Sequence, residues 1–251
     1  MQPLNNITVL ITGASRGLGA AIARTCAKQG ANLILHYGNS KTAVQNLADE
    51  LGSHVVATLS YDLSRPQAGT MLWQEALKIA PELNALVNNA GCADAVDFAS
   101  SDQDWQDGWS RTLSINLQAP ADLCRAAVAS FAKQKTGGRI VNIASRAGQR
   151  GDQMDFAAYA ASKGALLALT RTIAKGAAAQ GVSAFAIAPG WIDTEMAPTD
   201  PTIRKQATAE IPYGKFADPA EIAALTAFLL SGACPSATGA TFDINGASYL
   251  R

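Results

Sequence analysis

The chain has 251 residues and a mass of 26.0 kDa, which is long enough to bury a substantial hydrophobic core. Hydrophobic residues make up 48% of it and charged residues 16%, a composition that excludes an intrinsically disordered chain. The 20 basic and 20 acidic side chains cancel, so we expect no general electrostatic attraction to nucleic acid or to anionic lipid.

The N-terminus and the cysteines narrow the class of protein further. The first six residues carry no charged side chain, and the apolar run that follows at 7–12 is too short for the core of a signal peptide. No apolar run reaches the length of a membrane span, so we expect a cytoplasmic protein that binds neither membranes nor nucleic acid. Cys26, Cys92, Cys124 and Cys234 lack the spacing of a metal or redox site, which predicts no metal and four cysteines that fill core space.

Short apolar segments alternate with longer, helix-like ones from end to end. Strands are predicted at 7–11, 32–36, 54–60, 85–88, 139–143, 183–187 and 241–244. Helices are predicted at 18–29, 41–51, 67–80, 105–135, 157–180 and 219–230. Many of the strand candidates are rich in Val, Ile and Leu without strict alternation, which is typical of parallel strands covered on both faces. The pattern predicts an α/β fold, a doubly wound sandwich around a seven-stranded parallel sheet.

The chain shows neither an internal repeat nor a linker, so we expect one domain over residues 1–251. Its least regular region, 191–213, contains Pro198, Pro201 and Pro212 and follows the end of a predicted strand. Ligands in doubly wound folds bind beyond the carboxyl ends of the strands. We therefore predict that this region is a flexible lid over a binding site.

A glycine-rich segment, Thr-Gly-Ala-Ser-Arg-Gly-Leu-Gly at 12–19, joins the first predicted strand to the first helix. Glycine allows a tight turn and a close approach of the backbone to a phosphate, and a helix N-terminus favours negative charge. This placement predicts a dinucleotide-binding loop. The predicted contacts with the cofactor in this loop are Gly13, Ser15, Arg16, Gly17, Leu18 and Gly19.

The end of the second strand indicates which dinucleotide is bound. NAD-binding chains usually carry an acidic residue about 20 residues after the loop, whereas residues 36–41 contain none. Arg16 and Lys41 supply positive charge there, and Tyr37 and Ser40 supply hydroxyl groups, which suits a 2′-phosphate. We predict NADP(H) in preference to NAD(H); the alternative is that Arg16 and Lys41 are merely solvated.

Tyr159 and Lys163 are four residues apart on one predicted helix face, where a phenol and an ammonium group can converge. A nearby positive charge favours phenolate, so we expect Lys163 to lower the pKa of Tyr159 and to make it a proton donor suited to carbonyl reduction. A Tyr-x-x-x-Lys pair alone is common on helices. Here Asn-Asn-Ala-Gly at 88–91, Asn116 and Ser145 accompany it.

With these motifs in this order, the chain resembles the short-chain dehydrogenase/reductase family. The resemblance extends from Thr12 to the segment at 238–247 and includes Asp62 and the Pro-Gly-Trp-Ile-Asp-Thr motif at 189–194. Residues 188–190, 193–196 and the C-terminal segment are most similar to the 3-oxoacyl-[acyl-carrier-protein] reductase branch. The resemblance implies a Rossmann-type fold and an NAD(P)-dependent oxidoreductase that reduces a 3-oxoacyl thioester. Dehydrogenation of another alcohol, sugar or cyclic ketone, with NAD, is the alternative; a catalytically silent dinucleotide-binding regulator is a second one.

The family also implies catalytic roles. Tyr159 would protonate the substrate oxygen, Lys163 would lower the pKa of Tyr159 and bind the nicotinamide ribose, and Ser145 would hold the substrate oxygen. Asn116 would anchor a water that resupplies protons.

The cofactor contacts beyond the glycine loop follow from the same resemblance. They are Asp62 and Leu63 at the adenine, Asn88, Asn89, Ala90 and Gly91 on the adenosine side, and Pro189, Gly190, Ile192 and Thr194 at the nicotinamide. Asn88 could equally brace its own strand.

Two features leave alternatives open. The loop at 146–156 is slightly longer than is usual in the family and carries Arg146 and Arg150, which could contact an anionic substrate or a phosphopantetheine arm, or form ion pairs at a subunit contact.

Small residues at 164–179 suggest close helix contacts, and the family typically associates through such helices. A homotetramer is predicted, with a dimer as the alternative.

Overall fold

The computed structural model describes residues 3–134 and 137–250. The strands are β1 (Thr8–Ile11), β2 (Asn32–Tyr37), β3 (Val55–Ser60), β4 (Ala85–Asn88), β5 (Gly138–Ile143), β6 (Val182–Pro189) and β7 (Thr241–Ile244). They form one seven-stranded sheet in the order β3-β2-β1-β4-β5-β6-β7, and every neighbouring pair is parallel. The predicted Rossmann-type α/β fold and its seven parallel strands are therefore confirmed.

The helices lie on both faces of this sheet. They are α1 (Gly17–Lys28), α2 (Lys41–Leu51), α3 (Ala68–Ile79), α4 (Asp102–Leu113), α5 (Ala119–Phe131), α6 (Ala147–Arg150), α7 (Ala157–Ala177), α8 (Pro201–Ala209) and α9 (Pro219–Leu230). Within the described ranges, no helix combines the length and apolarity that a membrane crossing requires.

Side chains of one strand alternate between two hydrophobic cores, because successive residues of a strand point to opposite faces. Val9 and Ile11 of β1 belong to the core beneath α1, α2 and α9, whereas Leu10 belongs to the core beneath α3, α5 and α7. All three are fully buried. Trp73 of α3 anchors the second core by an edge-to-face contact with Phe131 at 5.5 Å.

Three details differ from the sequence-based expectation. The helix predicted at 105–135 is α4 and α5 joined by a π-helical turn at Ser114–Gln118, and residue 135 lies outside the described residues. Helix α8 lies within the region predicted to be irregular. The prediction that all four cysteines fill core space is wrong for Cys234, which is exposed, and only partly right for half-buried Cys92.

The strand order places the binding cleft. Strand β1 lies between β2 and β4, so the connections that leave β1 and β4 run to opposite sides. A crevice opens at such a switch point, outside the carboxyl ends of the strands.

Candidate active site

A cleft of about 480 Å³ opens at the carboxyl ends of β1 to β6. The structure brings most of the predicted site residues together in its lining. These are Gly13, Ser15, Arg16, Gly17, Leu18, Gly19, Ser40, Asp62, Leu63, Asn89, Ala90, Gly91, Ser145, Tyr159, Lys163, Pro189, Gly190, Ile192 and Thr194. Tyr37, Lys41, Asn88 and Asn116 lie outside the lining.

Two glycines of the loop, Gly13 and Gly19, are packed too tightly to be replaced by residues with side chains. Gly13 has a φ of +64°, which side-chain-bearing residues rarely adopt, and a Cβ there would lie 2.9 Å from the Cα of Ala90. A Cβ on Gly19 would clash with the carbonyl oxygen of Gly13. Helix α1 begins in this loop, and the side chain of Arg16 caps none of its N–H groups. The helix N-terminus in the cleft lining therefore suits a phosphate.

Thr12 and Asn89 fix the loop from below. The hydroxyl oxygen of Thr12 accepts hydrogen bonds from the backbone N–H groups of Asn89 and Ala90, each at 3.0 Å. The amide of Asn89 donates to the carbonyl oxygens of Thr12 and Gly13 at 2.9 and 3.1 Å. Asn89 thus lines the cleft and also ties β4 to the loop that follows β1.

His36, which was not predicted as a site residue, holds the glycine loop from the other side. Its Nδ1 accepts a hydrogen bond from the N–H of Gly13 at 3.1 Å, so its Nε2 must carry the proton that is donated to the carbonyl oxygen of Tyr61 at 3.0 Å. Burial lowers the pKa of His36 to about 4, which keeps the ring in the neutral form that this geometry requires.

The β2 end of the cleft carries the guanidinium of Arg16, with the carboxylates of Glu195 and Asp62 also in the cleft lining. Arg16 lines it, as does Ser40 just before α2, and none of residues 36–41 is acidic. Asp62, which follows β3 and also lines the cleft, accepts two hydrogen bonds from Ser64, which lower the pKa of its carboxyl. The bare helix N-terminus, the glycine fit and this charge distribution together suit a dinucleotide with a 2′-phosphate.

Tyr159 and Lys163 reach the cleft from the first two turns of α7, beside Ser145 at the end of β5. The ammonium group of Lys163 donates to the carbonyl oxygen of Ile143 at 2.8 Å, and it lies 5.7 Å from the centroid of the Tyr159 ring. Strand β5 therefore positions both Ser145 and Lys163.

The expectation that the pKa of Tyr159 lies below its ordinary value is wrong in its net direction. Burial raises the pKa of the Tyr159 phenol above its ordinary value, although a hydrogen bond with Ser145 works in the opposite direction. Burial also lowers the pKa of Lys163 to about 8. Desolvation disfavours the charged form of both groups. Tyr159 accordingly holds its proton at neutral pH, which suits a proton donor.

Asn116 lies in the π-helical turn between α4 and α5 and is fully buried. Its side-chain oxygen accepts from the N–H of Cys92 at 2.9 Å, and its amide donates to the carbonyl oxygen of Cys92 at 2.8 Å and to Ser162 at 3.1 Å. The side chain therefore braces the segment after β4 against α7. That Asn116 anchors a relay water stays a prediction.

A buried chain of amides ties α7 to the sheet below the cleft. Asn88 donates to Asn142 at 2.8 Å, and Asn142 donates to the hydroxyl of Thr170 at 2.9 Å. Asn88 thus has the strand-bracing contacts that were weighed against a role in cofactor binding.

The 146–156 loop is tied to the predicted lid by an ion-pair cluster. Arg146 and Arg150 both face Glu210, at 3.4 and 3.7 Å, and the side chain of Arg146 is only 7% exposed. Glu210 ends α8. Of the readings left open above, the structure shows an ion-paired loop, although its partner is the lid of the same chain.

Residues 191–213, hereafter the flap, share a small core with Phe216, which lies just beyond them. The ring of Trp191 stacks on Phe216 at 5.7 Å, and both contact a cluster that includes Ala207 and Ile211. Asp200 caps α8 by accepting from two backbone N–H groups, and Pro201 is its first residue. An Asp-Pro pair of this kind is a helix-start signal that could have predicted α8.

Ten further residues line the cleft without having been predicted. They are His36, Gly38, Asn39, Tyr61, Arg111, Ile115, Ile143, Ala144, Glu195 and Met196. His36, Tyr61 and Ile143 lie at or next to strand ends, where a parallel-sheet argument could have placed them. Glu195 carries no comparable signal, because its contact with Arg16 joins residues that are 179 positions apart.

The chain was compared with known families and proteins, and it matches both a family model and named reductases. A family model described as enoyl-(acyl carrier protein) reductase matches residues 13–247. The 3-oxoacyl-[acyl-carrier-protein] reductase FabG of Vibrio cholerae is 32% identical over 98% of this chain and 99% of its own.

Two solved structures share the fold over nearly their whole length. A blue fluorescent protein from a metagenomic library, in complex with NADPH, has a TM-score of 0.90 and 32% identity, covering 99% of this chain and 100% of its own. A 3-oxoacyl (acyl-carrier-protein) reductase from Agrobacterium tumefaciens C58 with NADP bound has a TM-score of 0.88 and 31% identity, covering 97% and 95%. Similar identity thus accompanies differently named proteins.

Proposed function

The chain belongs to the short-chain dehydrogenase/reductase family and is an oxidoreductase, and we propose that it reduces the ketone of a 3-oxoacyl thioester with NADPH. The observation that carries this proposal is the meeting of Ser145, Tyr159 and Lys163 in the cleft that also holds the glycine loop. A nucleotide at the loop would extend toward these three side chains.

The chemistry divides between the cofactor and the chain. NADPH, when bound, supplies a hydride from C4 of its nicotinamide. Tyr159 donates its phenolic proton to the carbonyl oxygen of the substrate, and its raised pKa keeps that proton available at neutral pH. Ser145 donates a hydrogen bond to the same oxygen as negative charge develops on it.

Lys163 supports the tyrosine after the proton has left. Its ammonium group is buried and oriented by the carbonyl of Ile143, so it stabilises the phenolate at low local dielectric. Lys163 would also bind the nicotinamide ribose. Asn116 keeps the segment at Cys92 next to Lys163 and Tyr159. The phenolate of Tyr159 must be reprotonated there before the next turnover.

The preference for NADP(H) is supported by Arg16 at the mouth of the cleft and by the absence of an acidic residue from positions 36–41. It is also supported by similar structures that contain NADPH or NADP. Ser40 lines the same cleft as Arg16, and its hydroxyl would add a second hydrogen bond to the 2′-phosphate.

The thioester substrate is supported by the relatives named for it in Vibrio cholerae and Agrobacterium tumefaciens. The test is the initial rate of NADPH oxidation with an acetoacetyl thioester of a short pantetheine arm, with NADH in parallel. We expect a strong NADPH-linked rate. NADPH binding without turnover would reject the thioester and redirect the search to other ketones.

We propose further that the chain is one domain, that the flap closes over the substrate, and that the enzyme is a homotetramer, with a dimer as the alternative. Association is supported by an aromatic row on and before α4: Phe98 is 53% exposed and contacts Trp105 at 4.9 Å, which contacts Trp109 at 5.4 Å. Light scattering coupled to size-exclusion chromatography tests it, and a monomeric mass would contradict it.

A further inference from the structure

The guanidinium group of Arg16 has an acidic neighbour on the flap. Its Nη1 lies 3.2 Å from the carboxylate of Glu195, and both side chains are about two-thirds exposed, at 67% and 65%. Both line the cleft. A Cβ on Gly17 would lie 3.6 Å from the Cβ of Thr194, so this part of the flap lies directly against the glycine loop.

A carboxylate at this position affects cofactor choice through charge. The 2′-phosphate is the only group that distinguishes NADPH from NADH, and it is an anion that would bind the guanidinium already contacted by Glu195. The other acidic residue of this end, Asp62, is engaged by Ser64 and faces Arg65 at 3.5 Å. Within the described residues, Glu195 is the acidic partner of Arg16.

We propose that Glu195 is a specificity-determining residue that competes with the 2′-phosphate for Arg16 and thereby moderates the preference for NADPH over NADH. The inference rests on the proposed binding of NADP(H) at Arg16. It means that an ion pair between loop and flap weakens the preference for NADPH, and that the flap affects cofactor choice as well as substrate choice.

The size of the effect follows from the exposure of the pair. Exposed ion pairs contribute about 0.2–1 kcal/mol, which corresponds to a change of roughly 1.4- to 5-fold in a dissociation constant. Such a pair is screened by salt, so the effect of Glu195 should shrink at high ionic strength.

The test is the dissociation constant of NADPH, NADH and 2′,5′-ADP, measured by calorimetry on the parent and on Glu195→Gln. We expect roughly threefold tighter binding of NADPH and 2′,5′-ADP to the variant and unchanged binding of NADH. Glu50→Gln is the matched control, because it removes one acid from an exposed pair with Arg24 away from the cleft, and it should change none of the three.

Arg16→Ala separates this inference from the proposed function. If Arg16→Ala weakens NADPH more than NADH, the 2′-phosphate assignment holds, and Glu195→Gln added to it should have no further effect. If Arg16→Ala is selective but Glu195→Gln leaves NADPH binding unchanged or weaker, the competition is overturned alone. An equal loss of both dinucleotides in Arg16→Ala overturns the 2′-phosphate assignment and the competition together.

Discussion

The glycine loop and the flap face each other across the cleft, but different forces hold them. The loop is fixed by buried backbone contacts, with Ala14 fully buried and Gly13 bonded by its N–H to His36. The flap has a small apolar core that it shares with Phe216, and its contacts with the rest of the chain include two ion pairs, the exposed Arg16–Glu195 pair and the partly buried Arg146–Glu210 pair. Close packing resists change, whereas surface ion pairs contribute little stability. The nucleotide side is therefore rigid, and the substrate side is adjustable.

The largest effect should come from removing the phenolic hydroxyl of Tyr159, on the firmly held helix α7. Tyr159→Phe removes the proton donor and keeps the ring, so we expect the rate of NADPH-linked ketone reduction to fall about a thousandfold. The dissociation constant of NADPH, measured by calorimetry, should stay within error of the parent. Appreciable turnover by this variant would show that Tyr159 is not the proton donor.

Rigidity of the loop is tested by Gly19→Ala. The new Cβ meets the carbonyl oxygen of Gly13, and overpacking of this kind costs about 1–3 kcal/mol. Urea denaturation should show that loss, and both NADPH and NADH should bind more weakly. Gly176→Ala in α7, where a Cβ meets open space, is the control, and it should stabilise the protein by about 0.5–1 kcal/mol.

The brace at His36 makes the rigid side sensitive to acid. The ring takes a proton near pH 6.5 in the unfolded chain but only near pH 4 in the folded one. The stability that the neutral ring contributes is therefore fully present above about pH 6.5 and is lost as the pH falls toward 4. The free energy of unfolding, measured in urea at pH 7 and pH 5, should fall more in the parent than in His36→Gln. Equal falls would argue against the neutral brace.

The smallest effect should appear on the flap side. Arg146 is buried against Glu210, so Arg146→Ala should loosen α8 and raise KM a few-fold for neutral and anionic ketones alike. Steady-state kinetics with a matched pair of ketones provides the measurement. A rise confined to the anionic ketone would instead assign Arg146 to substrate binding.

The sequence predicted the glycine loop and the sheet better than it predicted the contacts of the flap. The strands, the glycine loop and the pairing of Tyr159 with Lys163 depend on local periodicity and short spacing, and the structure places them as expected. The burial that raises the pKa of Tyr159 depends on tertiary packing, which the Tyr-x-x-x-Lys spacing does not contain. The contact between Arg146 and Glu210 joins residues 64 positions apart, so local patterns carry no trace of it.

The substrate remains a proposal for the same physical reason. The residues that would select a ketone lie in the flap and the 146–156 loop, whose positions depend on a few ion pairs and on short elements such as α6. Short polar loops of this kind have no fixed relation between sequence and ligand.

Two hydrogen bonds between β5 and α7 together prevent the helix from rotating about its axis. Ile143 holds Lys163, and the neighbouring Asn142 holds Thr170 two turns further along the same helix. A helix attached at two points of one strand can neither roll nor slide without breaking a buried hydrogen bond, which costs about 1–3 kcal/mol. Tyr159, the proposed proton donor, consequently keeps its place when the flap across the cleft changes. A chain built this way can exchange its flap for another and acquire a new substrate while its chemistry stays intact.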